Sequence, residues 1–208
     1  MSGFLRYVLC ALVASLALAP PALAGSFSDS AVGCEGRTYE QPFRRWLDPF
    51  LYVLAPNGGL ERGAAEWRLT GGAKAVAGNE TFYVGGATDS RSLYLPSGSS
   101  ATTRPMCVRI LHPTVRFFAR NRGPLLLSNL SVEVLVEDPV LGRVVALPVG
   151  VATGGSRWQP TLPYVVLGDF LSLLGEDGEL AVAFRFKPLG FGAAWQIDDV
   201  YVDPLRNR

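Results

Sequence analysis

Histidine is almost absent from this chain, which contains only His112 among its 208 residues. His112 precedes Pro113 between two strand-like segments, where a lone histidine is usually an ordinary turn residue. One histidine makes a zinc site improbable, since zinc needs several nitrogen or sulfur ligands. No nucleophile-base pair is visible, and no Gly-x-Ser-x-Gly sequence is present. We therefore predict that the protein is not an enzyme.

Suitably spaced carboxylates are also lacking. A β-fold glycosidase needs two carboxyl groups about 5–9 Å apart. Glu133 and Glu137 share a strand face but stand four residues apart, which corresponds to about 13 Å along a strand. The Gly-rich stretches Thr70–Ala77 and Gly85–Ala87 do not open helices, so phosphate binding at a helix start is not expected.

An excess of charge of either sign is missing. The chain has 19 Lys and Arg residues against 18 Asp and Glu residues, and Arg6 lies in a segment that we expect to be removed. Nucleic-acid binding depends on clustered basic residues that neutralise phosphates. The balanced charge predicts no nucleic-acid partner.

Long apolar runs are missing after the N-terminus. The run Tyr7–Ala19 follows a single basic residue and ends at Pro20-Pro21, before the small-x-small sequence Ala22-Leu23-Ala24. This pattern predicts a signal peptide over residues 1–24. A transmembrane helix needs about 20 apolar residues, and this run is too short. We expect a secreted protein at the cell-envelope surface or outside the cell, with no transmembrane anchor.

Cysteine is scarce, and signal removal would leave only Cys34 and Cys107. An even pair in an exported protein favours one disulfide, although two buried free thiols are the alternative. The disulfide would stabilise the fold by about 4 kcal/mol on the chain-entropy model. It would tie an N-terminal segment, residues 25–48, to the following domain, residues 49–204.

Short β-strands separated by Gly-, Asn- and Ser-rich turns dominate the remaining pattern. Only residues 169–174 suggest a helical turn. The spacing of about ten strands predicts an all-β, two-sheet sandwich. The predicted strands are Phe50–Leu54, Glu66–Leu69, Thr81–Val84, Arg91–Leu95, Met106–Leu111, Thr114–Arg120, Leu130–Glu137, Arg143–Val149, Leu162–Leu167, Glu179–Lys187 and Ala194–Val202.

Alternation assigns two faces to the longest strands. Nine apolar residues on one face should line the core between the sheets: Val115, Phe117, Ala119, Val132, Val134, Val136, Val182, Phe184 and Phe186. The opposite face is unusual because Arg116, Phe118, Arg120 and Arg185 fall on it. It is either a solvated surface with weak cross-strand ion pairs or a ligand groove, in which arginines and Phe118 bind sugar hydroxyls, carboxylates and rings.

The two ends of the predicted domain carry distinctive segments. Asn57-Gly58-Gly59-Leu60-Glu61-Arg62-Gly63, followed by Trp67, resembles the opening of galactose-binding-like carbohydrate-binding modules, which are attached to secreted glucan- and xylan-degrading enzymes. Trp195–Val202 resembles their closing strand, and Ser92–Leu95, after Asp89, resembles a strand that follows a turn in those modules. Leu60 stands where those modules usually have Phe, and it keeps an apolar anchor. The resemblance implies a jelly-roll β-sandwich.

In those modules a calcium ion often ties the opening to the closing strand. The resemblance implies Glu61 and Asp198 as ligands, with Asn57 and Asp199 as weaker candidates and main-chain carbonyls completing the shell. The alternative is that Asp198 caps the backbone N–H groups of a turn and binds no metal. Such an ion would be structural.

The resemblance does not transfer sugar-contacting residues. Trp158 lies in a loop-like setting, where exposure would favour a ligand role and burial would make it a plug. The sequence therefore predicts a secreted, non-catalytic binding module whose leading ligand class is carbohydrate. The alternative is a structural or adhesion protein of the cell envelope that contacts protein partners.

Overall fold

The structure of the protein is a computed structural model that describes residues 27–109, 114–138, 143–166 and 179–203. The predicted signal peptide, His112 and the helical turn predicted at residues 169–174 lie outside the described residues.

Thirteen strands and one short 3₁₀ turn, Arg44–Trp46, make up the regular structure of the described residues. The strands are β1 (Val53–Leu54), β2 (Arg68–Thr70), β3 (Lys74–Ala77), β4 (Arg91–Leu95), β5 (Ser100–Thr102), β6 (Met106–Arg109), β7 (Thr114–Asn121), β8 (Asn129–Asp138), β9 (Arg143–Ala152), β10 (Gln159–Pro160), β11 (Tyr164–Val165), β12 (Glu179–Leu189) and β13 (Trp195–Asp203).

The strands form two antiparallel sheets in a jelly-roll β-sandwich. The front sheet has the order β10-β7-β13-β4-β3, with β11 also paired to β7 and β1 also paired to β13. The back sheet has the order β2-β5-β12-β8-β9, with β6 also paired to β12. The closing strand β13 therefore lies inside the front sheet, between β7 on one side and β4 and β1 on the other.

The core lies between the two sheets, and the nine residues expected there from alternation all belong to it. Phe117 of the front sheet meets Phe186 of the back sheet with ring centroids 5.0 Å apart, in an edge-to-face arrangement that aromatic pairs favour. Trp195 and Leu60, one from each end segment, are also buried in this core. The end segments therefore contribute directly to the packing of the sandwich.

Three of the differences from the expected strands concern residues 74–102. Thr81–Val84 is not a strand but part of a loop that spans residues 78–90. The pattern did not predict Lys74–Ala77, which is the edge strand of the front sheet, or Ser100–Thr102, which pairs with the edge strand β2 of the back sheet. Glycines beside these two segments favour turns. A strand of only three or four residues between such glycines is therefore not predicted from the sequence pattern.

The N-terminal segment is attached to the sandwich by covalent and backbone contacts. Cys34 and Cys107 form the predicted disulfide, with Cα atoms 5.1 Å apart. Beside it, Val32 makes a parallel bridge with Met106. No helix within the described ranges is long and apolar enough to cross a membrane.

Candidate ligand-binding face

A loop from the N-terminal segment covers the outer face of the front sheet. Glu40 and Tyr52 close this loop by exchanging two backbone hydrogen bonds of 2.9 and 2.7 Å. Between them, the 3₁₀ turn holds Phe43 and Trp46 against Phe118 of β7, with both ring centroids 5.4 Å from that of Phe118. We call residues 40–52 the covering loop.

Phe118 and Arg116 fix this loop and are not available to a ligand. Phe118 is fully buried. Arg116 is only 7% exposed; its Nε donates to the carbonyl oxygen of Thr161 at 2.6 Å, and its guanidinium pairs with Asp48 of the covering loop. The expectation that these two residues line a ligand groove is therefore wrong, because a distant segment has already packed on them.

Arg185 lies on the opposite side of the molecule from Arg116. Its strand, β12, pairs with β5, β6 and β8 in the back sheet, whereas β7 belongs to the front sheet. On the back face, Arg185 and Lys187 form salt bridges with Glu133 at 2.5 and 2.6 Å. The single basic face expected from alternation does not exist, since the sandwich core separates its two halves.

Arg120 and Trp158 remain at the edge of the covered face. The guanidinium carbon of Arg120 lies 4.8 Å from the ring centroid of Trp158, and its Nε donates to Oε1 of Gln196 at 2.8 Å. Trp158 is itself largely buried. The two side chains line a pocket of about 420 Å³, which we call the Trp158 pocket. Its other lining residues are Thr81, Phe82, Ser156, Arg157 and Gln159.

A second pocket of about 500 Å³ lies between the covering loop and the loop after β3. We call it the Tyr83 pocket, after a tyrosine that is 53% exposed. Phe82 lines both pockets, so the two are neighbours on the same face. The remaining lining residues of the Tyr83 pocket are Gln41, Pro42, Arg44, Arg45 and Val84.

Glu80 and Asp198 hold the loop that separates the pockets. The buried carboxylate of Glu80 accepts hydrogen bonds from the backbone N–H groups of Phe82 and Val84. The backbone N–H of Glu80 donates to Oδ2 of Asp198 at 3.0 Å. This capping explains why residues 81–84 form a loop and not a strand.

The predicted calcium ligands Asp198 and Glu61 both accept hydrogen bonds from main-chain N–H groups. Asp198 Oδ1 accepts from the N–H of Asp199 at 2.9 Å, in addition to the bond from Glu80. Glu61 Oε1 accepts from the N–H groups of Ser90 and Arg91, each at 2.8 Å. These contacts match the capping alternative for Asp198, while a metal role for either residue stays a prediction.

The carboxylate of Asp199 lacks the hydrogen bonds that a buried charged group needs. It lies at a bulge in β13 with φ of 48°, it is 1% exposed, and neither carboxylate oxygen has a hydrogen-bond partner among the described residues. Burial, followed by the negative charges of Glu80 and Asp89, raises its pKa well above the usual range. Burial and the charge of Asp199 raise the pKa of Asp198 in the same direction.

The carboxylates of Asp89 and Asp199 both lie against Gly85, which has no side chain to displace them. A Cβ atom at Gly85 would stand 2.5 Å from Oδ2 of Asp89 and 2.9 Å from Oδ1 of Asp199. Within the described residues, the one trio of potential side-chain ligands that comes within 4.8 Å consists of Cys34, Cys107 and Glu179, and its cysteines form the disulfide. A calcium ion at Asp199 would therefore need main-chain carbonyls and water in addition to carboxylates.

Comparisons with known proteins identify similar folds. No family model matches the chain, and no curated protein matches it. A family 61 carbohydrate-binding module in complex with β-1,4-galactotriose is 16% identical, with 73% of this chain and 97% of that chain covered and a TM-score of 0.42.

Two xylanase-derived modules are also similar. The C-terminal family 22 carbohydrate-binding module of Clostridium thermocellum Xyn10B is 12% identical, with coverages of 71% and 91% and a TM-score of 0.43. The CBM22-2 xylan-binding domain of Paenibacillus barcinonensis Xyn10C is 15% identical, with coverages of 71% and 97% and a TM-score of 0.45.

All three are carbohydrate-binding modules. The structural neighbours are thus domains of the kind that the two end segments resemble. At these identities and TM-scores they do not transfer a ligand or a site to this chain. The function is therefore argued from the residues of the two pockets.

Proposed function

We propose that this protein is a secreted, non-catalytic module that binds carbohydrate across the two pockets that flank Phe82. The observation that supports this most directly is the set of ring side chains at a surface site. Phe82 lines both pockets, Tyr83 is half-exposed in one, and Trp158 stacks with Arg120 in the other.

The shape and chemistry of the pockets suit sugar rings. Flat aromatic side chains can pack against the apolar C–H faces of a sugar while polar groups around them bind hydroxyls. Gln41 in one pocket and Ser156 and Gln159 in the other supply such polar groups. Each pocket lies in the size range of ligand sites, about 300–1,000 Å³.

The lining of the pockets also favours binding over catalysis. None of the described residues that line either pocket is Asp, Glu or His. A glycosidase requires a pair of carboxyl groups beside the bond that it cleaves. The pockets therefore offer aromatic and hydrogen-bonding contacts without the groups for general acid-base chemistry.

Secretion and calcium are further parts of the proposal. The predicted signal peptide and the Cys34–Cys107 disulfide both support an oxidising compartment outside the cytoplasm. A structural calcium ion would be held by Asp199, with Asp89 as the neighbouring carboxylate. Such an ion would favour the ionised form of a buried carboxylate that has no hydrogen-bond partner among the described residues, and it would help to hold the loop of Phe82 on β13.

The binding proposal is tested with a glycan array and the mature chain. We expect binding by the wild type and a loss of at least about tenfold in affinity, roughly 1.4 kcal/mol, for Phe82→Ala and Tyr83→Ala. Phe191→Ala is the matched control, because Phe191 is 89% exposed and lines neither pocket. Binding to no glycan, or equal losses in the control, would contradict the proposal.

One observation favours the alternative of a protein-contacting envelope component. Leu125, Leu126 and Leu127 are exposed in the turn before β8, and Phe191 is exposed in the turn before β13. The two turns touch, since a Cβ atom on Gly190 would overlap the carbonyl oxygen of Leu127. Clustered exposed apolar side chains are typical of interaction surfaces.

A further inference from the structure

All charged residues that line the two pockets are arginines. Arg44 and Arg45 line the Tyr83 pocket, and Arg120 and Arg157 line the Trp158 pocket. None of the four forms a salt bridge with a described residue. The chain as a whole is nearly neutral, whereas the linings of these two pockets carry only positive charge.

The polar contacts of these arginines leave guanidinium donors available. Among the described residues, the Arg45 side chain has one hydrogen-bond acceptor, the carbonyl oxygen of Phe82 at 3.5 Å. The Nε of Arg120 donates to Gln196, and its guanidinium lies over the ring of Trp158. The two terminal nitrogens of Arg120 make no hydrogen bond with the described residues. Each guanidinium carries five N–H donors, which is more than these contacts use.

Burial makes a positive charge at Arg120 less favourable. Burial, followed by the nearby charge of Arg122, lowers the pKa of Arg120. Arg116 shows how this fold balances a more deeply buried arginine, because Asp48 and the carbonyl oxygen of Thr161 receive its guanidinium. Arg120 has no equivalent anion among the described residues, and a ligand anion in the Trp158 pocket would provide it.

We propose that the ligand is an acidic polysaccharide whose uronic acid carboxylates pair with these arginines. This inference rests on the proposed carbohydrate-binding function and names its ligand class. A planar guanidinium binds a carboxylate through two parallel hydrogen bonds. Arginines lie on both sides of Phe82, so a polymer with acidic groups on successive residues can present a carboxylate to each pocket while its rings pack against Phe82 and Tyr83.

The test compares one backbone with and without its carboxylates. Binding of the mature chain to polygalacturonate and to its carboxyl-reduced, neutral form is measured by isothermal titration calorimetry at two salt concentrations. We expect at least about tenfold tighter binding to the acidic form, and we expect this binding to weaken as salt rises, since salt screens exposed charges.

The outcomes separate this inference from the proposed function. Equal affinity for the acidic and neutral forms would overturn the inference and leave carbohydrate binding intact. Equal affinity for dextran sulfate would also overturn it, because the site would then recognise charge without the carboxylate. Binding to neither polymer would overturn the inference, and an empty glycan array in addition would overturn the proposed function.

Matched charge variants locate the site. Arg44→Gln with Arg45→Gln, and separately Arg120→Gln with Arg157→Gln, should each weaken polygalacturonate binding by about tenfold. Arg68→Gln with Arg143→Gln removes the same charge from β2 and β9 of the back sheet and should leave the affinity unchanged. Equal losses of affinity in all three variants would show that only the net charge of the protein matters, and would overturn the assignment of the site to the two pockets. Unchanged melting temperatures show that each variant is folded.

Discussion

The backbone N–H of Glu80 donates a hydrogen bond of 3.0 Å to the carboxylate of Asp198, which lies 118 residues further along the chain. The same Glu80 uses its own carboxylate to hold Phe82 and Val84. The closing strand therefore positions the loop that separates the two pockets. Asp198 acts on the candidate site through this loop and does not line either pocket.

Removing the Glu80 carboxylate should loosen this loop. Glu80→Ala leaves the N–H groups of Phe82 and Val84 without their acceptor, which costs about 1–3 kcal/mol for a buried donor. Glu80→Gln keeps one acceptor oxygen and should lose less. Chemical denaturation measures both variants, and we expect glycan binding to fall in the same order. Equal stability of Glu80→Ala and the wild type would show that the carboxylate does not hold the loop.

Calcium dependence should be traced to Asp199. If calcium neutralises its buried carboxylate, a chelator should lower the melting temperature of the wild type, because a ligand that binds the folded state stabilises it. The Asp199→Asn variant should have the same melting temperature in calcium and in chelator. Thermal unfolding followed by circular dichroism checks this expectation. If the chelator leaves the melting temperature of the wild type unchanged, or still lowers that of the variant, calcium does not bind at Asp199.

A side chain at Gly85 should force the carboxylates of Asp89 and Asp199 to move, because the Cβ position lies against their oxygens and Asp199 is buried. Gly85→Ala should destabilise the protein by about 1–3 kcal/mol, the usual cost of overpacking. Gly155→Ala is the matched control, since a Cβ atom at Gly155 meets nothing within 4 Å. Urea denaturation compares the two variants, and an equal midpoint for both would contradict the expected crowding.

Glu133 should make stability depend on acidic pH. Burial alone would raise its pKa, but hydrogen bonds from Lys187 and Arg185 outweigh this and lower the pKa below the ordinary value of 4.5. The ionised carboxylate therefore contributes stability above that value, and the contribution is lost as the pH falls through the lowered pKa of the folded state.

The corresponding variant is Glu133→Gln. Its free energy of unfolding should be lower than that of the wild type by about 1–2 kcal/mol at pH 7, given the charge-assisted hydrogen bonds that it loses. The difference should shrink as the pH is lowered below about 4. Glu66→Gln, which breaks the more exposed pair with Arg62, should change stability by less than about 0.5 kcal/mol. A difference that stays constant with pH would contradict this origin.

The pattern of single residues determined the local features of this protein. Alternation identified Val115, Phe117 and Ala119 as residues whose side chains face the core, because successive side chains of a strand point to opposite faces. The scarcity of cysteine in a chain with an export-like N-terminus identified the Cys34–Cys107 pair. The two end segments indicated a jelly roll. Each of these inferences depends on neighbours in sequence or on composition.

Only the tertiary structure decided which residues meet. Alternation assigns a side chain to a face of its strand but cannot say which sheet that strand joins, and this placed Arg116 and Arg185 on opposite sides. It also cannot reveal that Phe43, 75 positions earlier, buries Phe118. Surface exposure is set by contacts between distant segments. Because these contacts bury Phe118 and Arg116, the candidate site lies instead at the two pockets beside Phe82, which Tyr83 and Trp158 also line.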